Sequence, residues 1–155
     1  MRNTLQIHWL DIDNRTQAYR FYKHYMPYAR LTKKERLAVL HFEKKSIEDN
    51  RNQEIIAAIR LRPTGVYNLV TGMLVHPNYH GQGLGHQLML GINNELANEG
   101  TFLFALPHLV SFYQQHGFVE CQNVPNDISQ LFNKYDCNDR PLCLMIFRRK
   151  NANHL

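Results

Sequence analysis

The residue order points to an α/β protein, a mixed sheet flanked by helices and organised as a single domain over residues 1–155. A chain of 155 residues can enclose a core without disulfide or metal support. Short runs rich in Val, Ile and Leu alternate with stretches of helical period, giving β-α-β-α-β through the middle of the sequence. Between the most central of those runs and the clearest helical stripe lies a glycine-rich join, Gly81-Gln82-Gly83-Leu84-Gly85.

Leu5 to Trp9 predicts the first strand. Asn14 is placed to cap a helix over about 15–26, with Gln17 in support. In that helix Ala18, Tyr19, Tyr22, Tyr25 and Met26 recur at threes and fours, and Pro27 ends it. The tyrosines can either pack as core or shape a pocket. Thr32 to Arg36 reads as a further helical turn. Leu37 to Glu43 and Glu54 to Arg62 read as strands, with Asp49-Asn50-Arg51-Asn52 as a hairpin turn between them. After Pro63-Thr64-Gly65, Tyr67 to Val75 is apolar on both alternating faces, as a strand at a sheet centre would be. Leu84, Leu88, Ile92 and Leu96 predict a helix from Leu84 to Asn98, stopped by Gly100. Thr101 to Leu106 then predicts a strand, Leu109 to His116 a short helix closed by Gly117, and Phe118 to Gln122 another strand. Leu142 to Arg148 is the last strand, after a polar stretch.

Hydrophobic content of 44% with 20% charged residues suits a soluble globular protein, and no segment has the apolar length of a membrane span. The start lacks the apolar stretch of a secretory signal, so a cytoplasmic address and no membrane partner are expected. Cys121, Cys137 and Cys143 are odd in number and not closely paired, so buried reduced thiols are expected rather than disulfides or zinc. There are nine histidines but no His-Glu-x-x-His pattern, and His76, His80 and His86 do not share a helical face. No metal is therefore expected. A net charge of +5 favours an anionic ligand, which nucleic acid, an acidic membrane or a polyphosphate cofactor would satisfy equally.

The segment from Val75 to His86 joins a strand to the head of a helix. Helix N-termini present unpaired N–H groups and the positive end of the dipole, which attract phosphate oxygens. Gly81, Gly83 and Gly85 remove Cβ atoms that would hold a diphosphate away. A Walker loop would end in Gly-Lys-Ser/Thr, whereas Gly85 is followed by His86 and Gln87. A dinucleotide fingerprint would put the third glycine one residue later and an acid about twenty residues on. The strand Thr101 to Leu106 supplies no such acid.

Leu74-Val75-His76-Pro77 followed by His80-Gly81-Gln82-Gly83-Leu84-Gly85 resembles the acyl-CoA signature Arg/Gln-x-x-Gly-x-Gly/Ala of the GNAT superfamily of N-acetyltransferases. His80 stands where that family usually carries Arg or Gln. A second match follows: Phe112-Tyr113-Gln114-Gln115-His116-Gly117-Phe118 resembles the family's Leu-Tyr-x-x-x-Gly-Phe segment. The specific likeness runs from about Tyr67 to Glu120. Leu106 departs from it, standing where many members carry an Asn that contacts CoA, so either that cofactor contact differs or His108 serves instead.

The resemblance implies an acyl-CoA-dependent N-acyltransferase that moves an acetyl group from acetyl-CoA, as co-substrate, to an amine by direct attack. It implies central strands splayed around acyl-CoA and a bulge near Leu74 that frees a backbone N–H for the oxyanion. Leu74, Val75, His80, Gly81, Gln82, Gly83, Leu84, Gly85 and His86 are the implied cofactor contacts, and Tyr113 with Leu74 the implied catalytic groups. No carboxylate lies on the central strand, so Glu43, Glu54, His41 and solvent remain open as the base. The acceptor stays open, and a homodimer is compatible with this reading. Two other readings exist. An acyl-CoA sensor without turnover fits the missing base, and a nucleic-acid binder fits the charge and the run Tyr19 to Tyr25 but leaves the glycine turn unexplained.

Overall fold

Seven strands are joined in one mixed sheet whose order is β1-β2-β3-β4-β5-β7-β6. The structure is a computed structural model, and it describes residues 5–42 and 54–149. The strands are β1 (Leu5–Trp9), β2 (Arg36–Phe42), β3 (Ile55–Thr64), β4 (Tyr67–Val75), β5 (Thr101–Ala105), β6 (Phe118–Glu120) and β7 (Cys143–Phe147). Among the described residues four helices accompany them: α1 (Thr16–Tyr25), α2 (Leu84–Ile92), α3 (Val110–Gln114) and α4 (Asn126–Tyr135). By backbone contacts the chain forms two compact units, Met1–Leu61 with Gly72–Ile92 and Arg62–Thr71 with Asn93–Leu155.

In the first unit β1 pairs antiparallel with β2 from Leu5↔Phe42 to Trp9↔Ala38. β2 pairs antiparallel with β3, with a register shift between Leu40 and His41. The runs Leu37 to Leu40 and Ile55 to Leu61 are buried on both faces, which explains why neither strand alternates in polarity. Under α1 the core is Ala18, Phe21, Tyr22, Leu37, Val39, Ile55 and Ala58. Tyr22 is 0% exposed, so the tyrosine stripe is divided: Tyr22 is core, while Tyr19 and Tyr25 pack at its margin.

In the second unit β4 and β5 run parallel over three residue pairs, Asn68↔Thr101, Leu69↔Phe102 and Val70↔Leu103. β5 and β6 both pair antiparallel with β7. Leu69, Phe102, Leu144 and Ile146 form this unit's core together with Ile128 of α4.

Several elements differ from the sequence reading. Asn14 does not cap α1: it ends a 3-10 turn, Ile12–Asn14, in which its own N–H bonds to the Asp11 carbonyl at 3.0 Å, and Arg15 takes the cap position without a side-chain bond. Thr32 to Arg36 is a turn rather than a helix, because the Glu35 N–H closes onto the Thr32 carbonyl and β2 already starts at Arg36. β3 runs through Pro63 to Thr64, and the chain reverses one step later, at Gly65 and Val66. α2 stops at Ile92 and tightens into a 3-10 turn, Asn93–Glu95, so Gly100 is not its stop; Leu84, Leu88, Ile92 and Leu96 are nonetheless all buried. The polar stretch before β7 contains α4, whose Ile128, Leu131 and Phe132 meet the core at threes and fours. The cysteines are free but not buried: Cys137 is exposed and Cys121 and Cys143 are half-buried. The expected hairpin turn at 49–52 and Glu43 lie outside the described residues.

Candidate functional site

β4 leaves the sheet at Val75, where the His76 N–H is tied to the Ile56 carbonyl of β3 at 2.7 Å. A 3-10 turn, Pro77–Tyr79, follows, with the His76 Nδ1 accepting the Asn78 N–H at 3.1 Å. The His80 ring folds back, its Nε2 donating to the Val75 carbonyl at 2.8 Å. His80 thus braces the turn from inside, a role that needs a donor reaching five residues back.

Gly81 and Gly83 are both left-handed, with φ of +78° and +77°, a region costly for a side-chain-bearing residue. Among the described residues, and apart from the glycine's own chain neighbours, no atom lies within 4 Å of where a Cβ would stand at either position. The outer side of the turn is therefore open, and both glycines are exposed along with Gln82. The first α-helical bond runs from the Gln87 N–H to the Gly83 carbonyl, so the N–H groups of Leu84, Gly85 and His86 precede any in-helix acceptor. Backbone donors, a helix dipole and open space converge there, an arrangement that holds linked phosphates.

Upstream in β4, Gly72 is left-handed at φ +66°. The sequence placed the strand's irregularity near Leu74, but the backbone turns two residues earlier. The buried Tyr22 hydroxyl donates to the Gly72 carbonyl at 2.7 Å. A Cβ at Gly72 would stand 2.5 Å from the Arg60 Nε. Arg60 is itself buried, donating to Glu35 Oε1 at 2.8 Å and to the Arg30 carbonyl at 2.9 Å. The sequence reading missed Tyr22 as a polar contact and missed Arg60 and Glu35 altogether. The available signal was a single charge inside the apolar run Ile55 to Leu61.

Of the candidate bases, the His41 ring is buried, stacked on His8 with centroids 4.3 Å apart, and its Nδ1 contacts the Phe42 carbonyl oxygen. Glu54 lines a cleft of about 420 Å³ with Arg20, Phe21, Tyr25 and His76. Because the His76 Nδ1 accepts from Asn78, the neutral ring carries its proton on Nε2, which faces Glu54 Oε1 at 3.3 Å and the Tyr25 hydroxyl at 3.1 Å. Among the described residues no three His, Cys, Asp or Glu side chains gather as metal ligands would.

Tyr113 belongs to the second unit, on α3, against Phe112 and Phe118 at centroid distances of 5.1 and 6.3 Å. Burial pushes its hydroxyl up to about 12. Leu106 precedes the 3-10 turn Pro107–Leu109, its carbonyl accepting the Leu109 N–H at 2.8 Å, and His108 is exposed.

Residues 43–120, half of the chain, match the family described as an acetyltransferase (GNAT) domain. An uncharacterized N-acetyltransferase of Gracilaria tenuistipitata var. liui, ycf52, is 34% identical over 76 residues, covering 46% of this chain and 42% of that protein. The chain thus spans less than half the length of that curated relative. Three solved structures share the fold. ElaA of Escherichia coli has a TM-score of 0.63 at 16% identity, covering 96% of this chain and all of that one. An acyl-CoA N-acyltransferase from Pseudomonas aeruginosa has a TM-score of 0.58 at 18% identity, with 96% of this chain and 100% of that one covered. N-acetylglutamate synthase from Neisseria gonorrhoeae, solved with coenzyme A and N-acetyl-glutamate, has a TM-score of 0.64 at 12% identity, covering 97% of this chain and 36% of that one. With its glycine turn, helix head and sheet order, the chain belongs to the GNAT acetyltransferase family.

Proposed function

We propose that the protein transfers an acetyl group from acetyl-CoA to an amine by direct attack. The observation that carries this reading is the pair of left-handed glycines, Gly81 and Gly83, with open space at the head of α2. There the diphosphate of CoA sits on backbone N–H groups between Gly81 and His86, with Gln82, Leu84 and Gly85 in the same turn. Leu74 and Val75 flank the pantetheine arm, and a backbone donor at the β4 distortion binds the thioester oxygen. That the Neisseria gonorrhoeae synthase, which shares this fold over 36% of its chain, was solved with coenzyme A supports the choice of donor.

The amine attacks the thioester carbonyl, and the oxygen takes the negative charge that the backbone donor stabilises, an effect of about 2.7–4 kcal/mol. Collapse of the tetrahedral species breaks the C–S bond and expels the CoA thiolate. The Tyr113 phenol, which is protonated at neutral pH like any phenol titrating at about 10 or above, gives its proton to that sulfur. The ammonium proton leaves to solvent.

Release of free CoA thiol from acetyl-CoA, measured across polyamines, amino acids, peptide N-termini and lysine side chains, tests the reading directly. A rise in melting temperature on adding acetyl-CoA should accompany it, since a ligand that binds only the folded state stabilises it. Binding without thiol release for any amine would make the chain an acyl-CoA sensor. Absence of both would overturn the assignment, and salt-sensitive polynucleotide binding in their place would favour the nucleic-acid reading.

A further inference from the structure

We infer that Tyr22 and Arg60 are positioning residues that hold the Gly72–Met73 peptide so that the Met73 N–H, ahead of Leu74, is the oxyanion donor; this rests on the acetyltransferase reading. A strand carbonyl ordinarily bonds sideways to its neighbour in the sheet. That of Gly72 also accepts the hydroxyl of Tyr22, which projects from α1, at 2.7 Å. The peptide is trans and planar, so its N–H lies on the side opposite its carbonyl. With the carbonyl fixed on Tyr22, the Met73 N–H is directed away from that hydroxyl.

Gly72 permits this turn because it tolerates φ +66°. Arg60 keeps it in place from the other direction. Its guanidinium occupies the space a side chain at position 72 would need, and it is itself fastened to Glu35 and the Arg30 carbonyl. The Arg60 Nε is buried and finds no acceptor among the described residues. The guanidinium is held by its bonds to Glu35 and the Arg30 carbonyl and lies over the Tyr22 ring, with its Nε beside Gly72. Burial raises the Tyr22 hydroxyl well above its ordinary value, so it remains a donor throughout the neutral range.

The chain has five methionines, so a sample labelled with [15N]methionine gives a sparse amide spectrum in which Met73→Leu assigns the Met73 signal. On wild-type protein, acetyl-CoA is expected to move the Met73 amide proton further downfield than CoA does, because only the acylated form brings a carbonyl. In Tyr22→Phe that extra displacement should shrink. The variant's kcat should fall roughly ten- to a hundredfold, with its KM for acetyl-CoA unchanged. A merely structural loss would lower the melting temperature without touching the acetyl-dependent displacement. Equal Met73 displacement by acetyl-CoA and CoA in the wild type overturns the inference while leaving the acetyltransferase reading standing, and so does a folded Tyr22→Phe protein with wild-type kcat. A wild type that neither binds acetyl-CoA nor releases thiol overturns both.

Discussion

The proposed mechanism leans on single side chains, and Tyr113 has the most directly testable consequences. Burial against Phe112 and Phe118 raises its hydroxyl further above neutral. Tyr113→Phe keeps the ring and removes only the hydroxyl, so turnover should drop about 10²- to 10⁴-fold, the usual worth of a general acid. Calorimetric affinity for CoA should be preserved; undiminished turnover would remove Tyr113 from the mechanism. Tyr113 was legible because a local pattern, Tyr-x-x-x-Gly-Phe, carries it. Tyr22 was visible as an apolar position but not as a donor, since its partner, Gly72, lies fifty residues away. Arg60 and Glu35 stayed unread for the same reason: a buried charge is intelligible only beside the opposite charge that the fold delivers.

Among the elements, the turn before α2 and the helix α4 make contrasting predictions. Gly83→Val forces a β-branched residue into φ +77° and fills the open space in which the proposed function seats a phosphate. Stability should fall by about 1–3 kcal/mol from backbone strain, and CoA affinity should fall with it, as titration calorimetry would report. Unaltered affinity would move the diphosphate elsewhere. α4 tests packing alone: Ile128 is 0% exposed within the core of the second unit, so Ile128→Ala should cost about 2–5 kcal/mol in urea unfolding. The strands were read closely, several to within a residue, because runs of Val, Ile and Leu are dense and short. α4 escaped because Asn126, Asp127, Ser129, Gln130, Asn133 and Lys134 dilute its stripe, and α2 was overdrawn because Leu96 continues the period after the helix has tightened.

For the whole chain, the buried phenol sets how stability responds to alkali. Below about pH 10 Tyr113 is neutral in both folded and unfolded protein. Above it the unfolded chain sheds the proton, while the folded chain holds it to about 12. Stability is therefore fully present below pH 10 and declines through that window, by up to about 2–3 kcal/mol from this group. Tyr22, shifted in the same direction, adds to the decline. Urea midpoints followed across this range should fall less steeply in Tyr113→Phe, and identical slopes would mean that the phenol is not buried in solution. Of the candidate site as a whole, the glycine turn was readable in the sequence because it is contiguous. The shape of β4 was not, because it depends on α1, β3 and the segment carrying Arg30 and Glu35.

That dependence has a genetic corollary. Glu35 and Arg60 share a buried ion pair at 2.8 Å, and Arg60 occupies the volume that any alanine at position 72 would claim. Drift at one of these three codons is tolerable only when the other two drift with it, so combined substitutions should depart strongly from the sum of the single ones. A library randomising positions 35, 60 and 72 together should recover active triplets that no stepwise walk through single substitutions can reach.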